Sequence, residues 1–278
     1  MVVIDTFKKM LKLDQAGLKK TMTEFLTANK YKPIVGDGFV YAKGDIPIML
    51  VAHLDTVHKS VPRDIYYDEK QDVMWSPQGI GGDDRCGVYI ITKLIEEFRP
   101  YVLFTEDEEI GGVGAKKVVE TIIAPDVKFI IEIDRRGSND CVFYDCDNKD
   151  FTKYIESFGF KTAIGTFSDI CTLSDHWEVA SVNLSSGYYN EHTSNEIIKL
   201  EDMEKTYDRV KKILGDKNSE YYEFIKKEYN KKYPITNSGD NTKNHGKDIF
   251  YQNAQGYVGA DGCWHWWDEE YDDYDYIR

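Results

Sequence analysis

Apolar residues recur at helical spacing from Val3 to about Lys30, with Ile4, Phe7 and Leu11 followed by Leu18, Met22, Phe25 and Leu26, which predicts one or two amphipathic helices. Short β-rich runs follow: residues 38–43, the apolar stretch 47–52, and a hairpin over 64–75 that turns near 69–72. Beyond this the period alternates. A helical stretch over 85–98 precedes a strand at 101–104, and a helix over 114–122 precedes a strand at 128–133. A helix over 150–158, a core strand over 180–185 and an amphipathic helix over 201–214 complete the pattern. Strands alternating with helices of this length imply an α/β domain, its mixed and mainly parallel sheet sandwiched by helices.

After Gly215 the composition shifts towards Tyr, Asn, Lys, Asp and Gly, so residues 1–214 are expected to form the main domain and 215–278 an extension. Residues 237–247 read as a loop or linker, while Trp264, Trp266 and Trp267 point to packing of part of the extension on the main domain, with a solvated or partner-binding acidic tail as the equal alternative. The 278 residues carry a net charge of −14, which repels nucleic acid and anionic membrane surfaces. Part of this charge is concentrated near the end, where Asp268, Glu269, Glu270, Asp272, Asp273 and Asp275 crowd together. Five cysteines (Cys86, Cys141, Cys146, Cys171, Cys263) form no dense framework and favour reduced thiols in a cytoplasmic protein. The opening decapeptide lacks the apolar stretch of a signal peptide, and no apolar run is long enough to span a bilayer.

Polar groups suited to catalysis sit where the core strands end. Residues 48–52 run into His53 and Asp55, residues 102–105 into the acidic run Glu106 to Glu109, and residues 130–133 into Asp134. In open α/β sheets the carboxyl ends of the strands form the ligand crevice, so these groups are expected to converge. His192 follows the strand at 180–185, and a glycine-rich turn holds Asp83 and Asp84 at the start of a helix. Taken singly, each motif is more often a hydrogen-bonded pair, a solvated acidic face or a plain turn. Together, two histidines and several carboxylates at one edge make a nitrogen and oxygen donor set suited to catalytic zinc.

The motifs AHLDTV, GGDDRCG, FTEDEEIGG, EIDRRG and NEHTSNE resemble, in order, those of the co-catalytic two-zinc metallopeptidase superfamily of aminopeptidases, carboxypeptidases, tripeptidase T and related amide deacylases. The resemblance spans residues 47–200 and implies a single aminopeptidase-like (phosphorylase/hydrolase-like) catalytic domain. It implies that His53 and Asp134 hold one zinc, Glu109 and His192 the other, and Asp83 both, with Mn2+ or Co2+ as possible substitutes. Asp55 would orient His53 from behind, and Glu108 would be the general base. In the family the peptide bond after the bridging Asp is often cis, here Asp83–Asp84. The chain is too short between Asp55 and Asp83, and between Asp134 and His192, for the inserted domains of some branches, which leaves a minimal, unlidded site.

Three functions are compatible with this. The first is an exopeptidase acting on small peptides, an aminopeptidase or di/tripeptidase; the second is an N-acyl amino acid deacylase or other small-amide hydrolase. The third is a silent binding module of the same fold, against which the complete ligand set and Glu108 count. Tyr188, Tyr189 and His176 are candidate oxyanion donors by nearness to the last motif, each more often a packing or surface residue, and residues 165–169 resemble a substrate-lining stretch.

Overall fold

The structure is a computed structural model that describes residues 2–228 and two short strands beyond them. Two compact units are present, Met1–Lys227 and Glu228–Arg278. The second contains β13 (Gly256–Val258) paired antiparallel with β14 (Trp264–Trp266), Gly256 opposite Trp266. The expectation for packing of Trp264, Trp266 and Trp267 falls outside the described residues.

The first unit opens with helices α1 (Ile4–Leu11) and α2 (Gln15–Ala28), then strands β1 (Ile34–Gly36), β2 (Phe39–Ala42) and β3 (Ile46–His53). The hairpin β4 (Tyr66–Asp68) and β5 (Val73–Trp75) follows, then α3 (Gly82–Ile95), β6 (Pro100–Thr105), α4 (Val113–Thr121) and β7 (Ile130–Arg135). The remainder is β8 (Asp140–Val142), α5 (Lys149–Glu156), β9 (Lys161–Thr162), α6 (Asp169–Trp177), β10 (Ser181–Ser185), β11 (Tyr188–Tyr189), β12 (Ile197–Ile198) and α7 (Leu200–Gly215). The main sheet has eight strands in the order β1-β2-β6-β3-β7-β10-β8-β9. Its centre, β6-β3-β7-β10, is parallel, and antiparallel pairs flank it.

Central strands buried on both faces need apolar residues at nearly every position, and β3 meets that demand. Ile48, Leu50 and Ala52 pack with α1, α2, α3, α5 and α7, whereas Met49 and Val51 pack with α4 and α6. Helices therefore cover both faces, as the alternating pattern predicts. A smaller four-stranded sheet, β11-β12-β5-β4, packs Met74, Tyr188 and Ile198 into the first of these cores.

The first unit continues past Leu214. Tyr222 donates its backbone N–H to Lys128 O and accepts from Ala180 N at the amino ends of β7 and β10. Its ring packs against Phe129, Phe151 and Tyr154 at centroid distances of 5.9, 5.0 and 5.5 Å. Truncation after Leu214 is accordingly expected to destabilise the fold by roughly 3 kcal/mol or more, since exposing one large apolar side chain costs about 1.5–3 kcal/mol and each aromatic pair adds about 0.5–1.5. Denaturant melts of the truncated and full chains check this, and equal midpoints would contradict it.

Candidate active site

The strands deliver their polar ends to one edge. His53 is the last residue of β3, Asp134 lies near the end of β7, and the loop carrying Glu108 and Glu109 follows β6, so the parallel register of these three strands gathers them. Asp83 enters from the turn that opens α3. That turn requires glycine: Gly81 is left-handed (φ 67°), and a Cβ at Gly87 would lie 1.9 Å from Ile133 O, so only glycine lets α3 approach β7 this closely. The Asp83–Asp84 peptide bond is cis.

Two clusters share one carboxylate. Asp83 Oδ1 is 2.9 Å from His53 Nε2, which is also 3.5 Å from Asp134 Oδ1. Asp83 Oδ2 is 3.3 Å from His192 Nε2, which is 3.0 Å from Glu109 Oε2. His53, Asp83 and Asp134 form one group able to hold a metal ion, and Asp83, Glu109 and His192 the other. Behind the first, Asp55 Oδ1 meets His53 Nδ1 at 3.2 Å, which fixes the ring and leaves Nε2 facing the shared carboxylate. Asp55 also accepts the backbone N–H groups of Glu108 (3.1 Å) and Glu109 (3.0 Å), so one carboxylate orients both the histidine and the acidic loop. The Glu108 carboxylate is hydrogen-bonded to none of the described residues.

Electrostatics reflect crowded carboxylates. Burial opposes a charge on His53, yet Asp134 and the contacts to Asp55 and Asp83 outweigh it and raise the imidazole well above its ordinary range. Hydrogen bonds to Asp83 and Glu109 push His192 up to about 11. Burial favours the neutral form of Asp83, but hydrogen bonds from His192 and His53 hold it well below the usual carboxylate range. Burial, with Asp134 and Asp169 nearby, raises Glu108 to about 9. The raised imidazoles thus favour the positive charge that the carboxylates need. Even so, Glu109 Oε1 is buried without a hydrogen-bond partner, which leaves an acceptor for a cation to meet.

All seven residues singled out for catalysis and metal binding meet here. Of the oxyanion candidates, only Tyr188 reaches the centre, and its hydroxyl donates to Asp134 Oδ1 at 3.2 Å. Tyr189 faces the other side of its strand and donates to Asp202 Oδ2. His176 sits in the last turn of α6, which runs away from the site and leads into the amino end of β10. Within 165–169, Phe167 lies against Gly112 of the acidic loop and Asp169 is buried.

Several participants were not anticipated. Asn183 accepts the backbone N–H of Asp134 (2.9 Å) and donates to its carbonyl (2.8 Å), fixing the end of β7. Glu132 is fully buried with neither oxygen hydrogen-bonded, and burial together with Asp134 pushes it well above the usual carboxylate range. An acid inside the apolar run 130–133 was the available signal for it. Arg85, also buried, donates to the carbonyls of Asp55 (2.8 Å) and Leu13 (3.3 Å), tying the first motif to the amino-terminal helices.

No protein-family model matches the chain, and no curated protein matches it in sequence. Solved structures do. Aminopeptidase PepT from Bacillus cereus ATCC 10987 superposes with a TM-score of 0.66 at 15% identity, over 76% of this chain and 96% of that one. A tripeptidase from Staphylococcus aureus gives 0.64 at 13% identity, over 76% and 96%. The TET1 peptidase of Pyrococcus horikoshii gives 0.59 at 15% identity, over 77% and 99%. The chain therefore has the mixed, mainly parallel α/β fold of the aminopeptidases and tripeptidases, and its paired histidine–carboxylate clusters lie at the carboxyl edge of that sheet.

Proposed function

We propose that the chain is a two-zinc hydrolase of amide bonds, acting as an exopeptidase on small peptides. The observation that carries this is the sharing of Asp83 between two histidine–carboxylate clusters, beside a glutamate that takes part in neither. The donor set fits zinc: imidazole nitrogens and carboxylate oxygens are ordinary zinc ligands, and an unpartnered buried oxygen on Glu109 supports the fit. His53 and Asp134 would hold one ion, Glu109 and His192 the other, and Asp83 both. Zinc bound there would lower the pKa of a water and polarise an amide carbonyl.

The chain's own groups account for the rest. Glu108, held by its backbone N–H on Asp55, is free to take a proton from the attacking water and hand it to the leaving amine. Its high pKa in the metal-free chain comes from burial and neighbouring carboxylates, and added positive charge opposes both effects. Tyr188 steadies Asp134 and is thereby a positioning residue instead of an oxyanion donor. The short connections leave the edge open to a small substrate. A panel of aminoacyl-anilides, dipeptides and N-acyl amino acids tests the reading: cleavage of the first two classes is expected, cleavage of N-acyl amino acids alone would make the protein a deacylase, and no cleavage by zinc-loaded protein would refute it.

Zinc binding is expected to release protons. Both imidazoles are raised in the metal-free chain, which favours their protonated form, and each must be deprotonated to ligate. Affinity should consequently fall as pH drops from 8 to 6. Calorimetry in buffers of different ionisation enthalpy measures the release, and proton-neutral binding would contradict it.

A further inference from the structure

Glu196 joins three segments that are distant in sequence. The side chain is 1% exposed, and each of its oxygens is engaged. Oε1 accepts the backbone N–H of Asp83 at 2.9 Å; Oε2 accepts that of Gly81 at 2.8 Å and lies 2.8 Å from His58 Nε2. The two amides belong to the turn that opens α3, where backbone N–H groups lack intrahelical partners and the helix end favours negative charge. A buried carboxylate serves both needs, and three donors offset its loss of water. Glu196 stands on the same short loop as His192 and anchors the backbone of Asp83, the residue to which His192 is bonded.

We infer that Glu196 is a further positioning residue of the site: its hydrogen bonds to Gly81 and Asp83 hold the shared carboxylate where it can serve both clusters at once. The inference rests on the two-metal reading of the site but concerns a side chain whose carboxylate meets Asp83 only at its backbone N–H and bonds none of the clustered side chains. No other side chain among the described residues accepts from Gly81 N or Asp83 N. If the clamp is lost, Asp83 is free to turn towards His53 or His192, and a displacement that suits one cluster misplaces it for the other. Both metals should therefore weaken together, whereas loss of a residue belonging to one cluster weakens one.

Glu196→Gln is the discriminating variant because it keeps shape and size. An amide has one acceptor oxygen, so whichever way it is turned its NH2 group faces the N–H of Gly81 or of Asp83, and one buried donor loses its partner. Two readouts separate the clamp from the metal centre. In the metal-free protein, amide exchange at Gly81 and Asp83 should accelerate in the variant while amides of β3 and β7 keep parental protection. In Co2+ and Zn2+ titrations against a chelator, both equivalents should weaken, by roughly the 10–100-fold typical when an outer partner of a ligand is removed, with a changed Co2+ absorption spectrum. Unchanged exchange at Gly81 and Asp83 would overturn the clamp. Faster exchange with parental affinity for both equivalents and a parental Co2+ spectrum would reduce Glu196 to a local cap and overturn its positioning role. Should the parent itself bind no metal, the two-metal reading fails, and the imidazole NMR shifts of His53 and His192 decide the clamp: the inference requires both to move in the variant, and their constancy would refute it.

Discussion

Asp83→Ala is expected to abolish activity and to lose both metal ions, not one. Asp83 Oδ1 faces His53 and Oδ2 faces His192, so a single truncation removes a ligand from each cluster. What remains is His53 with Asp134 and His192 with Glu109, two protein ligands apiece, below the three of ordinary catalytic zinc sites. The loss should exceed the ~10–100-fold seen when only an outer partner is removed. Asp134→Ala, by comparison, should weaken its own cluster first and leave the Glu109–His192 pair with Asp83 in place. Metal retained after dialysis, measured alongside circular dichroism to confirm folding, distinguishes the two. Retention of one full equivalent by Asp83→Ala would mean that the carboxylate is not shared.

The second large effect separates two adjacent glutamates. Glu109 Oε2 is bonded to His192, whereas the Glu108 carboxylate has no hydrogen-bond partner among the described residues, so the two should fail differently. Glu108→Gln preserves shape and both clusters; it should keep its metal and lose about 10²–10⁴-fold in kcat, the usual contribution of a positioned general base. Glu109→Gln should lose metal from its cluster and regain part of its activity in excess zinc. Metal loss from Glu108→Gln with full loading of Glu109→Gln would reverse the assignment.

Much of this site was legible because its chemistry is carried by strand ends. Apolar runs at 48–52, 102–105 and 130–133 each stop at a histidine or an acid, and a parallel sheet brings such stops to one edge whatever the intervening sequence. The cis bond at Asp83–Asp84 followed from motif resemblance. Less was legible where partners are remote. β8, β9, β11 and β12 have only two or three residues, too few for a period, and they are defined by the strands that pair with them. Helix α6 was not anticipated, although Ile170, Leu173 and Trp177 fall on one face, because a polar stretch leads into it. His176 was proposed through nearness in sequence to the last motif, but the descent of α6 carries it towards the other end of the sheet. Tyr188 and Tyr189 cannot be ranked by sequence nearness, yet strand alternation sends one to Asp134 and the other to Asp202. Glu196 lay within the last motif, but its partners at Gly81 and Asp83 belong to a turn that no local pattern connects with it.

Two metal ions held jointly through Asp83 are expected to make this chain an amide hydrolase. The most direct measurement is a zinc titration of metal-free protein, following bound metal and hydrolysis of an aminoacyl-anilide or dipeptide in the same samples. Activity should be absent without metal and reach its plateau at two equivalents per chain. Full activity in metal-free protein, or a plateau with no bound zinc, would contradict it.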